Sequence, residues 1–144
     1  MSSKSEVDVI VHQLRFRFRD ETGEAQQARV LELMRATAAV ESVAFSTVGR
    51  HLGTPSDGYT HALCVAWSDL DALERYMHDP VHLAGDPEII PHLAALAIGP
   101  ETTDDPDPEL GAKIMAANQR KLELYPEWAA LMSSIPEVRV NIAV

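Results

Sequence analysis

The 144-residue sequence holds a single cysteine, Cys64, which excludes any disulfide within one chain and fits a cytoplasmic location. Long apolar runs are also missing: none approaches the roughly 20 residues that span a bilayer, so no membrane partner is expected. The amino terminus, MSSKSEVDVIVHQL, lacks the basic, apolar and small-residue order of a secretory signal, which again points to the cytoplasm. Positive charge is scarce. Twelve Lys and Arg against 22 Asp and Glu give a formal net charge of −10, which argues against a nucleic-acid partner bound through its phosphates. Five of the carboxylates crowd into ETTDDPDPE, residues 101–109. Its prolines and the lack of a turn glycine do not match a calcium loop, and it reads as a solvated acidic linker.

What remains is an ordinary globular composition, 46% hydrophobic and 24% charged, long enough for one cored domain or a small domain with an appendage. In VIVHQLRFRFRD, Ile10, His12, Leu14, Phe16 and Phe18 alternate with Val11, Gln13, Arg15, Arg17 and Arg19, the period of a strand. TGEAQQARVLELMRATAAV follows as a helix, with Thr22 as its expected N-cap and Val30, Leu33, Met34 and Thr37 on one face. ESVAFSTVGR and YTHALCVAW read as a second and third strand, the latter carrying His61, Leu63, Val65 and Trp67 on one side. SDLDALERYM is a short helix with a capping-box-like start at Ser68 and Asp71, stopped by Pro80. EIIPHLAALAIG adds a helical turn and a fourth strand.

Strand, helix, strand, strand, helix, strand over residues 7–99 is the α+β, ferredoxin-like order. Such a sheet carries helices on one face only, and a second copy of the chain is the economical cover for the other. A homodimer enclosing a barrel-like interior between two sheets is therefore expected. After the linker at 100–109, residues 110–144 form an extension of helix plus strand. Leu110, Ile114, Met115, Leu122 and Tyr125 lie close to a helical stripe, and Val138, Val140, Ile142 and Val144 alternate as a strand would.

The segments HQLRFRFRDET, GYTHALCVAW and YMHDPVH, in that order, resemble the stress-responsive dimeric α/β-barrel family (Dabb) over about residues 10–99, including its olivetolic acid cyclase-type polyketide cyclases. The resemblance implies a catalytic pair, with His82 as general base and Tyr76 assisting it. It also implies that His12 and His61 line a substrate pocket, with Leu14, Phe16 and Leu63 as their strand neighbours. The family hosts carbon–carbon bond making and breaking, so a cofactor-independent cyclase or lyase acting on a small polyketide-like or aromatic substrate is expected. A noncatalytic ligand-binding or stress-protective dimer, or a cofactor-free monooxygenase, is the alternative. Three departures stand out, one being that the resemblance is silent on residues 100–144. Asp79 replaces the middle histidine of the family's Tyr-x-x-His-Pro-x-His, and Gln13 and Arg15 occupy first-strand positions expected to be apolar and to face the helices.

The chemistry itself is ordinary. A histidine titrates near neutrality and can carry a carbon-acid proton, while a tyrosine hydroxyl can orient a carbonyl and stabilise the oxyanion. His78 and His82, four apart, have the spacing of two metal ligands. Pro80 lies between them and no third ligand is in view, so no metal is expected.

Overall fold

The computed structural model describes residues 8–141; the expected strand positions Ile142 and Val144 lie outside them. Alternating apolar residues form β1 (Ile10–Phe18), and α1 (Glu24–Ala38) returns over it. β2 (Phe45–Arg50) and β3 (His61–Trp67) follow, then α2 (Leu70–Met77), α3 (Pro80–Ile89) and β4 (Leu93–Ile98). The sheet order β2-β3-β1-β4 is antiparallel throughout. Helices pack on one face, as the ferredoxin-like α+β fold requires.

The extension joins this sheet. A two-residue strand β5 (Thr102–Thr103) continues the edge of β1 beyond the end of β4. Helices α4 (Leu110–Leu124) and α5 (Pro126–Ser133) then cross over, and β6 (Glu137–Val140) pairs parallel to β4. Leu110, Ile114, Ala117 and Ile135 share one continuous core with Phe16, Val30, Val65 and Leu73. Gly99 makes the passage from β4 to β5 possible. Its φ of +78° lies in the left-handed region, and a Cβ there would stand 2.8 Å from the Asn141 carbonyl oxygen. Glycine meets both constraints.

Several local expectations are corrected. The α1 N-cap is Gly23, not Thr22, whose hydroxyl bonds His92 instead. Asp69, rather than Ser68, caps α2 by accepting from the Ala72 amide at 2.9 Å. Pro80 ends one helix and also begins another. Standing at the first position of α3, it needs no amide partner, and Asp79 caps the helix by accepting from the Val81 amide at 2.9 Å. That is the position where proline fits a helix best, and it gives Asp79 a structural purpose.

Gln13 and Arg15 do not face the helices. Ile10 and Phe16 are fully buried in the core, so the strand period turns Gln13 and Arg15 to the opposite face. There the Arg15 guanidinium lies 5.0 Å over the Tyr59 ring. The acidic segment 100–109 is not simply a solvated linker. Glu101 is partly buried against His12, and Asp104 accepts from the Val9 amide at 3.0 Å. In α4 the inward stripe is Leu110, Ile114, Ala117 and Lys121, whereas Leu122, expected inside, is 38% exposed.

Candidate active site

Because β1 and β3 pair with Leu14 opposite Leu63 and Phe16 opposite His61, all of these residues project toward the helices. The site is accordingly not in a barrel interior between two sheets. A cavity of about 140 Å³ lies between the sheet and the helices of a single chain. His12, Leu14 and Leu63 border it from the sheet, Tyr76 from α2, and His82 and Asp86 from α3. Ile114, Lys121, Trp128 and Met132 close it from the extension.

His82 sits in the first turn of α3, where the helix start carries it back against α2. Its Nδ1 lies 3.0 Å from the Tyr76 carbonyl oxygen. A carbonyl only accepts, so Nδ1 carries the proton and Nε2 keeps its lone pair. Asp86, one turn further along α3, brings Oδ2 to 3.4 Å from Nε2. A carboxylate has no proton to give the Nε2 lone pair and so leaves it free, while its charge is near enough to stabilise an imidazolium. Burial pulls the His82 pKa below its ordinary value; Asp86 pushes it back up, and Lys121 pushes it down. The imidazole is thus kept neutral and available as a base.

Tyr76 is 5% exposed, with its ring 4.5 Å from the His82 ring and 5.2 Å from Trp67. Burial, and then the Asp86 charge, push its hydroxyl far above the usual phenol range, so it remains a proton donor. His12 stacks on Trp67 at 5.3 Å, and its Nδ1 contacts both Glu101 carboxylate oxygens, at 2.7 and 2.9 Å. Asp86 gathers a second group of contacts. Trp128 donates its indole N–H to Oδ2 at 2.8 Å, and the Lys121 ammonium lies 4.0 Å from the same oxygen.

Of the residues expected at the site, the structure brings His82, Tyr76, His12, Leu14 and Leu63 around this cavity. Phe16 and His61 stand apart from it. Phe16 is wholly buried, and His61 stacks on it at 5.6 Å and contacts the Thr60 hydroxyl at 2.8 Å. Both occupy the end of the sheet beyond the cavity. His78 bonds the Tyr125 hydroxyl at 2.9 Å and so helps hold the extension. Sequence reasoning missed Asp86, Glu101, Lys121 and Trp128. Signals existed for two of them: Asp86 follows His82 at helical spacing, and Lys121 continues the spacing of Ile114 and Ala117.

The depressed His82 pKa has a measurable consequence. Below its ordinary value the unfolded imidazole takes up a proton that the folded one resists, so stability falls as pH drops below about 6.5. The melting temperature is expected to decline from pH 7 to pH 5, with a shallower slope in His82→Gln; equal slopes would refute this origin.

No curated protein sequence matches the chain. Solved structures resemble it at low identity. A dimeric ferredoxin-like protein of unknown function from Thermobifida fusca is 22% identical with a TM-score of 0.60, over 71% of this chain and 96% of that one. A Dabb family protein from Mesorhizobium loti is 20% identical with a TM-score of 0.57, over 69% and 98%. The hydroxynitrile lyase of Passiflora edulis is 14% identical with a TM-score of 0.59, over 69% and 96%. The family model described as Stress responsive A/B Barrel Domain (Dabb) matches residues 10–99, most of the chain. On that match, the chain belongs to the Dabb family.

Proposed function

We propose that this protein is a cofactor-independent acid–base enzyme that makes or breaks a carbon–carbon bond in a small carbonyl compound, by an aldol- or Claisen-type cyclisation or a lyase step. The observation that carries the reading is the placement of His82, with Nδ1 3.0 Å from the Tyr76 carbonyl oxygen and Nε2 3.4 Å from Asp86. A C–H proton next to the carbonyl passes to Nε2, and the Asp86 carboxylate stabilises the imidazolium that results. The Tyr76 hydroxyl orients the carbonyl oxygen and donates to it as charge builds there. His12, held by Glu101, supplies a further polar contact at the sheet side of the cavity.

The size of the cavity narrows the substrate class. About 140 Å³ is close to the roughly 150 Å³ of an engineered cavity that binds benzene. This favours a one-ring or short-chain carbonyl compound over an extended poly-β-keto chain. The structural neighbour from Passiflora edulis, a hydroxynitrile lyase, is a precedent for lyase chemistry on this fold.

The test is solvent deuterium exchange. Acetophenone, cyclohexanone and 1,3-cyclohexanedione are incubated with protein in deuterated buffer, and proton loss next to the carbonyl is followed by NMR. Exchange that depends on His82 supports the enzyme. Ligand binding without exchange supports the noncatalytic binding protein instead.

The reading includes a cytoplasmic homodimer. No described helix is long and apolar enough to cross a membrane. On the sheet face turned away from the described helices, Gln13, Arg15, Ala62 and Cys64 are all partly exposed, and similar structures are described as dimeric. Sedimentation equilibrium at micromolar concentration is expected to give about twice the 15.8 kDa chain mass. A monomer would refute the dimer while leaving the cavity, which one chain builds alone, intact.

A further inference from the structure

Lys121 lies in α4, outside the matched residues 10–99. A lysine on a helix surface ordinarily carries its ammonium along its stem to water. This one is only 3% exposed and borders the cavity shared with Tyr76 and His82. Its Nζ lies 4.0 Å from Asp86 Oδ2 and 4.3 Å above the Trp128 ring. An ammonium has three donors, and neither contact is a hydrogen bond; among the described residues Nζ has none. Asp86 Oδ2 already accepts from Trp128. Among the described residues Lys121 is also the one lysine or arginine bordering the cavity. A buried cation with unused donors is costly unless something accepts from it. Two further side chains bordering the cavity, Trp67 Nε1 and Thr37 Oγ1, are buried without partners.

We propose that Lys121 is a catalytic residue of this site, its ammonium contacting the carbonyl oxygen of the substrate and holding the negative charge that develops there on enolisation. The proposal rests on the enolisation reading above. The C–H proton moves to His82 Nε2 and the C–H electron pair becomes the carbon–carbon double bond. The carbonyl π pair moves onto oxygen, between the Lys121 ammonium and the Tyr76 hydroxyl. No bond to Lys121 forms. The cycle closes when carbon regains the proton, or when the enolate carbon attacks a second carbonyl carbon, the first carbonyl re-forms, and the new alkoxide takes the proton back from His82. Each charge formed then has an opposite neighbour, imidazolium beside Asp86 and enolate beside Lys121. The recognised chemistry is a ring-sized ligand with an enolate- or phenolate-like oxygen.

The experiment needs no turnover. 4-Nitrophenol distinguishes phenol from phenolate by absorbance, and its titration is followed while bound to the full-length wild type. The midpoint is expected at least one pH unit below that in free solution, which means phenolate binds at least tenfold more tightly than phenol. K121M is expected to lose most of that shift, and K121R to keep part of it. Asp86, His82, Glu101, His12 and Tyr76 also border the cavity and titrate. They are common to wild type and K121M, so the difference between the two proteins reports Lys121.

Absence of binding, an unshifted or raised midpoint, or a full shift in K121M overturns the proposal. So does a shift that survives K121M and vanishes in Y76F. If the variants do not fold, wild type decides alone: 4-nitrotoluene binding as tightly as nitrophenolate overturns it. Deuterium exchange that is indifferent to His82 would sink the enolisation reading separately, whatever nitrophenol does.

Discussion

Replacing His82 by glutamine is expected to slow deuterium exchange of a bound ketone by about 10²- to 10⁴-fold, the range for removing a positioned general base. Glutamine can still donate to the Tyr76 carbonyl, so the turn between α2 and α3 keeps its hydrogen bond. What disappears is a neutral nitrogen base poised beside a carboxylate. Tyr76→Phe should cost less, because it removes one neutral donor and leaves the base in place. Exchange rates of purified variants, each with a melting curve, decide the matter. A His82→Gln protein that folds and exchanges as fast as wild type refutes the role of His82.

The second large effect is on stability. Asp86→Ala takes the carboxylate away from the buried Lys121 ammonium and the acceptor away from the Trp128 indole N–H. Breaking a buried pair by deleting one partner typically costs about 3–5 kcal/mol, since the remaining charge is left uncompensated. The 4.0 Å separation places the expectation at the low end, about 3 kcal/mol. For a chain of this size that corresponds to a fall in melting temperature of about 10 °C. Asp86→Asn keeps an acceptor for Trp128 and should fall between. Adding Lys121→Met to Asp86→Ala should restore part of the loss, because the stranded charge goes with it. Loss in the double variant equal to the sum of the singles would show that the two residues do not interact.

How much of this the sequence discloses depends on the range of the interaction. The alternation of Ile10, His12, Leu14, Phe16 and Phe18, and the helical spacing of Val30 and Met34, are local patterns, and they gave the ferredoxin-like core. Residues carried by α2, such as Tyr76, follow from that frame. The α3 helix is obscured because Pro80 reads as a helix stop. Proline at a first helical position needs no amide, which is what Asp79 and Pro80 exploit. Without α3, the turn linking His82 to Asp86 does not exist on paper. Glu101 was hidden for another reason. Nothing near residue 101 signals that the chain turns it back onto His12, a contact spanning 89 positions. Lys121 was masked by its own chemistry, since an ordinary reading sends a lysine outward and prefers Leu122 for the inner face.

The extension is pinned at both ends: β5 pairs with β1 before α4 begins, and β6 pairs with β4 after α5 ends. It behaves mechanically as a strap fastened at two points over the cavity. Its middle supplies Lys121 and Trp128, so whatever occupies the cavity is gripped between strap and sheet. Occupancy and seating of the strap are therefore linked, and each favours the other by the same free energy. A ligand would tighten residues 110–133 first, and cutting the strap would weaken affinity without touching the histidine or the tyrosine.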